Sequence, residues 1–108
     1  MYLTNAFSLN MLASLNANIA VRTIEAQDVR DFNDHDSLES AVGHADTAAV
    51  FSTILHFPVP ANRITIQAKP GDRLIVGQYC GPRLPEGATT LPQGATITWT
   101  LVVIRSGR

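Results

Sequence analysis

The chain has 108 residues, of which 45% are hydrophobic and 16% charged, with a formal net charge of −1. That length holds one folded unit, and the apolar fraction can build a core without covalent staples. The near-neutral balance argues against a coat for duplex DNA, which calls for a basic excess. The single cysteine, Cys80, rules out an internal disulfide and a cysteine metal cluster, and it fits a reducing, cytoplasmic compartment. "MYLTNAFSLNML" lacks the basic start and long apolar run of a leader or membrane span, so no membrane association is expected.

In chain order, Tyr2 to Ala6 reads as a short strand. "FSLNMLASLNAN" interleaves Ser and Asn with Leu and Met and reads as an irregular turn. "IAVRTIE" is rich in β-branched residues and reads as a second strand. From Ala26 to His56 the pattern is helical. Asp36 and Glu39 have the spacing of a capping box opening a short helix, with Gly43 placed to end it in a left-handed conformation. A second helix carries His44, Ala48, Phe51 and Leu55 on one face, which puts His44 at the mouth of the core. Pro58 and Pro60 stop it.

The second half is β-rich. Ile64, Ile66 and Ala68 alternate with Arg63, Thr65 and Gln67, "KPGD" signals a tight turn, and "RLIVGQY" follows. This predicts an antiparallel hairpin. "CGPRLPEGATTLPQGA" is a long Gly/Pro-rich loop, and "TITWTLVVI" is a strong final strand, apolar on parts of both faces. The expectation is an α/β fold: a single domain over residues 1–108 with a mixed sheet of about five strands, flanked by helices on one or both faces.

Three motifs could carry chemistry. In "GHADT", Gly43 precedes His44 at the start of a helix, where free N–H groups seat anions. Asp46 reads there as a helix-dipole partner or cap. The simpler alternative is a helix break with His44 as its cap. In "GPRLPEG", Arg83 and Glu86 are presented by a loop stiffened at Pro82 and Pro85. Arginine can clamp a phosphate through two hydrogen bonds and a carboxylate can orient a histidine or exchange a proton. The simpler alternative is a surface ion pair. In "NAFSLN", Asn5, Ser8 and Asn10 follow the first strand, where ligands of α/β sheets sit, though turn chemistry explains such residues equally. Arg63 and Gln78 lie near strand ends and face either a ligand or solvent. His35, His44 and His56 have no zinc spacing, and Cys80 reads as a half-buried structural thiol. No phosphate-loop lysine motif, GxGxxG or GxSxG occurs.

Taken in order, "LTNAFSLNML", "AVGHADTAAVFSTIL", "VPANRITI", "GDRLIVGQ" and "GPRLPEG" resemble a small family of viral and prokaryotic proteins. Its best characterised members are ring nucleases that act as viral anti-CRISPR proteins against type III systems. The resemblance runs from about Leu3 to Gly87 and rests on the combination N-A-F-S-x-N, G-H-x-x-T-A and R-L-P-E-G. It implies a homodimer that cleaves cyclic tetra-adenylate to linear di-adenylate ending in a 2′,3′-cyclic phosphate, without metal or cofactor. It implies catalytic roles for His44, Arg83 and Glu86, and ligand contacts at Asn5, Ser8, Thr47, Arg63 and Gln78. A second expectation is a dimer that sequesters the cyclic nucleotide without cutting it, or binds DNA or a protein. Two segments depart from the family pattern. Tyr79 to Pro82 lengthen the link between Gln78 and Arg83, and "ATTLPQGA" replaces a helix before the last strand.

Overall fold

Five strands and two α-helices follow one another in the computed structural model, which describes residues 1–107. They are β1 (Tyr2–Thr4), a 3-10 turn (Leu9–Met11), β2 (Ala17–Ile24), α1 (Ala26–Asp36), β3 (Glu39–Ser40), α2 (Ala45–Leu55), β4 (Arg73–Cys80) and β5 (Thr96–Ser106). The strands form one sheet in the order β2-β5-β4-β1-β3. β1 is parallel to both β3 and β4, and β5 is antiparallel to both β4 and β2. The α/β class and the five-stranded mixed sheet agree with the sequence, although the strands are not all the expected ones.

Alternation along the strands divides the apolar residues between two cores. Leu3, Ile75, Trp99 and Leu101 point to one face, where they meet Val29 of α1 and Ala48, Phe51 and Leu55 of α2. Leu74, Val76, Val102 and Ile104 point to the other face, away from α1 and α2. There Ile66 and Ala68, with Phe7, Met11 and Leu12 at the margin, close the core. β4 and β5 therefore carry apolar residues at both parities because both faces are covered.

The α1 helix opens at Glu25, not at Asp36. Its capping box pairs the Glu25 N–H with the Asp28 carboxylate at 2.8 Å, and the Glu25 side chain accepts from the Asp28 backbone in return. The proposed box at Asp36 and Glu39 does not form: Asp36 ends α1, Ser37 takes the left-handed cap (φ 52°), and Glu39 enters β3. Gly43 is not in the left-handed region. Arg30 donates to the Ile54 carbonyl at 3.0 Å, tying α1 to one of the free carbonyls in the last turn of α2.

The expected strand at residues 63–68 and its hairpin with β4 do not form. Both edges of β4 are occupied, one by β1 and the other by β5, so the segment has no free ladder to join. It instead runs as an extended strap across the second core. The Ala68 N–H donates to Met11 O at 2.7 Å and Ala13 N–H donates to Ala68 O at 2.8 Å. The alternation still serves burial, since Ile66 and Ala68 face inward. The KPGD turn is present, with Asp72 N–H donating to Lys69 O at 2.9 Å and Lys69 N–H to the Asp72 carboxylate at 2.8 Å. It delivers the strap into β4.

Candidate active site

Because β1, β3 and β4 are parallel, their carboxyl ends lie along one border of the sheet, where α/β folds place ligands. β3 leads through Ala41 and Val42 to Gly43 and His44. This lead-in is held tightly. The Ala41 N–H donates to Leu3 O at 2.8 Å, the Asn62 N–H to Val42 O at 2.8 Å, and the Asn62 side-chain amide to Ser40 O at 2.7 Å. His44 is the N-cap of α2 by backbone (φ −124°, ψ 132°), and its carbonyl accepts the first helical bond from Ala48. Its side chain makes no capping bond, so the imidazole is not consumed in ending the helix. His44 is exposed, outside the apolar stripe of Ala48, Phe51 and Leu55, because the helix begins one residue after it.

An open cleft of about 1120 Å³ lies at this border. One wall is the start of α2, with His44, Asp46 and Thr47; the other is Tyr79 of β4 and the loop carrying Gly81, Arg83, Leu84, Pro85 and Glu86. Two motifs separated by almost forty residues thus meet across one space. The Tyr79 hydroxyl donates to the Pro82 carbonyl, and the Gly87 N–H donates to the Asp46 carboxylate at 3.0 Å. Arg83 and Glu86 do not pair with each other; among the described residues the ion pair is Arg73 with Asp36, at 3.4 Å. His44, Arg83 and Glu86 share the cleft without hydrogen bonds to one another among the described residues.

The cleft offers two kinds of surface. Leu84, Pro85 and the ring of Tyr79 offer apolar and aromatic surface suited to a base. Arg83, His44 and the unpaired N–H groups in the first turn of α2 offer donors suited to phosphate oxygens. A mixed cleft of this kind suits a nucleotide better than a purely anionic or purely apolar ligand.

The other expected contacts lie outside the cleft lining. Gln78 directly precedes Tyr79 on β4, so alternation sends it to the opposite face of the sheet. Arg63 runs beside Gly43, where an added Cβ would sit 3.7 Å from its Nε. It thus neighbours the lead-in to His44. Asn5 leaves the end of β1 half-buried, Ser8 caps the 3-10 turn, and Asn10 is exposed within that turn. Cys80 is exposed rather than half-buried, since it ends β4 on the rim of the sheet. Sequence reading also missed Tyr79 and Asn62. The PAN stretch carries a turn-type residue near a proline, but its bonds to β3 span twenty or more positions.

A smaller cleft, about 360 Å³, lies between β2 and α1 and includes Arg22, Asp28, Asp31, Phe32 and His35. It contains none of the expected site residues. Its carboxylates already serve local structure, Asp28 at the capping box and Asp31 as acceptor for the Gln27 amide. Among the described residues, no group of three or more His, Cys, Asp or Glu is placed to hold a metal ion. Among the same residues, no helix is long and apolar enough to cross a membrane.

These features define an α/β domain with a histidine-, arginine- and carboxylate-lined cleft at the ends of its parallel strands. The chain belongs to the STIV B116-like family, whose model matches residues 1–94. Among solved structures it is similar to B116 of Sulfolobus turreted icosahedral virus. The two share 27% identity with a TM-score of 0.79, over 94% of this chain and 97% of that one. A comparison with curated proteins found no match.

Proposed function

We propose that the protein is a metal-independent ring nuclease that binds cyclic tetra-adenylate and opens it to di-adenylate with a 2′,3′-cyclic phosphate. The observation that carries this reading is the meeting of His44 and Thr47 with Arg83 and Glu86 across one cleft. The three-motif resemblance supports the substrate, and membership of a family with a viral namesake is consistent with a viral protein. In the proposed reaction, the ribose 2′-oxygen attacks the adjacent phosphorus and the bond from phosphorus to the 5′-oxygen breaks. His44 protonates the departing 5′-oxygen, as a general acid within the cleft. Arg83 and the N–H groups of α2 stabilise the added charge on the phosphoryl oxygens. Glu86 is the group available to accept the 2′-hydroxyl proton or to favour the charged imidazole. Holding the 2′-oxygen in line supplies about 7 kcal/mol or more of barrier lowering. The proposed assembly is a homodimer, in which a two-fold axis presents two such clefts to opposite bonds of a symmetric ring.

Incubating the protein with cyclic tetra-adenylate in EDTA and separating the products by chromatography tests the reading. Linear di-adenylate with a cyclic phosphate end is expected. An intact ring after prolonged exposure to excess protein rejects the nuclease. Tight binding without product would leave a protein that sequesters the messenger.

A further inference from the structure

We infer that Asp46 is a positioning residue, which holds the loop bearing Arg83 and Glu86 closed over the start of α2. This inference rests on the nuclease reading for its catalytic consequence, but not for its structural content. Asp46 lines the cleft, where its negative charge works against any bound phosphate. A carboxylate in such a place calls for another role, and its hydrogen bonding supplies one. Its Oδ1 accepts the Gly87 N–H at 3.0 Å across 41 positions of chain.

The surroundings make this bond a clamp. Ala88 N–H donates to Pro85 O at 3.0 Å, folding residues 85–88 into a turn that aims the Gly87 N–H at α2. Gly87 has φ +79°, a conformation that other L-residues rarely adopt. Seven residues after Asp46, on the same face of α2, Thr53 Oγ1 donates to Thr89 O at 2.6 Å. At the loop's other end the Tyr79 hydroxyl holds the Pro82 carbonyl. Arg83 through Glu86 therefore span the gap between two fixed points. Neither charged side chain has an ion-pair partner among the described residues, so the backbone anchors set their positions.

Without the clamp, those residues must be ordered when ligand binds, and the entropy cost falls on affinity rather than on the chemical step. Asp46→Ala should raise KM for cyclic tetra-adenylate by about five-fold, the factor for loss of one such bond, with kcat close to the parent value. Asp46→Asn keeps an acceptor oxygen and removes the charge, so it should bind as tightly as the parent or more tightly. A helix-dipole role predicts no such difference, with Asn as impaired as Ala. Amide hydrogen exchange on the free protein gives a readout independent of activity. Gly87 exchange should accelerate about five-fold or more in Asp46→Ala and stay near the parent rate in Asp46→Asn. Unchanged Gly87 exchange in Asp46→Ala, or equal effects of Ala and Asn, would overturn the clamp. Asp46→Ser, too short to reach Gly87, provides the same comparison if the alanine variant folds poorly. A parent that never cuts the ring would reject the nuclease reading, while the exchange experiment would still decide the clamp.

Discussion

Gly77→Ala should be among the most damaging single substitutions in this chain. Gly77 is buried on β4, paired with Trp99 of β5. A Cβ at this position would lie 2.4 Å from Trp99 Cζ3, 2.6 Å from Phe51 Cζ and 2.9 Å from Trp99 Cε3. Carbon atoms in contact rest at about 3.5–4.0 Å, so the rings must retreat by about 1 Å or more. They have little room to do so. Trp99 is 5% exposed and Phe51 fully buried, with centroids 4.8 Å apart and planes at 61°. The Trp99 backbone is held between Gly77 and Ile24 in neighbouring strands. The cost belongs near the upper end of the overpacking range, about 3 kcal/mol. For a domain of this size that lowers Tm by about 12–24 °C. Thermal unfolding followed by circular dichroism measures it, with the near-ultraviolet band of Trp99 as a local probe. A loss of less than about 1 kcal/mol would refute the reasoning, because it would mean that the ring pair yields freely. A double-mutant cycle sharpens the point. Trp99→Leu removes both short indole contacts and should cost less in the Gly77→Ala background than in the parent, by about 1 kcal/mol or more.

Four further outcomes are expected. On the proposed nuclease reading, His44→Ala should retain binding of cyclic tetra-adenylate and lose about 100-fold or more in cleavage rate, measured by single-turnover chromatography. Asp28→Ala should cost about 1 kcal/mol in denaturant unfolding, through loss of the box that opens α1. His56→Gly should stabilise by about 1 kcal/mol, seen as a rise in Tm, because His56 caps α2 at φ 60° with no side-chain reason to be left-handed. The Tyr2 hydroxyl is pushed above its usual range, first by hydrogen bonding to the Glu39 carboxylate and then by its charge. The stability that this contributes is complete below the ordinary tyrosine value near 10 and is lost as pH rises through the raised value. Absorbance titration of a Tyr79→Phe protein should show that upward shift, and Glu39→Gln should reverse it.

Elements with a strong local pattern were readable before folding was considered. The buried face of α2 follows from Ala48, Phe51 and Leu55, and β5 from a run of β-branched and aromatic residues. β3 was not readable, since Glu39 and Ser40 are a strand only through pairing with β1. Residues 63–68 show the converse: a strand-like alternation that met a sheet with no vacant edge beside β4. The candidate site divides in the same way. His44, Thr47, Arg83 and Glu86 stand in motifs that are distinctive in combination, and the fold brings them to one cleft. The bond from Gly87 to Asp46 joins positions 41 apart and has no local signature. Gln78 was expected at the ligand and Tyr79 was not, whereas strand alternation puts them on opposite faces with Tyr79 in the cleft.

The two borders of the sheet are not alike. On the outside of β3, Ser40 Oγ donates to Pro60 O at 2.6 Å and Asn62 takes the carbonyls of Ser40 and Val42, so the 60–62 segment covers that border. β2, at the other border, presents eight residues with only β5 beside them, and Val21 on it is 66% exposed. A sheet with one sealed border and one open border can grow in a single direction. Were two copies to pair along β2, β3 would form both outer borders of the joined sheet, and edge addition through β2 would stop at two.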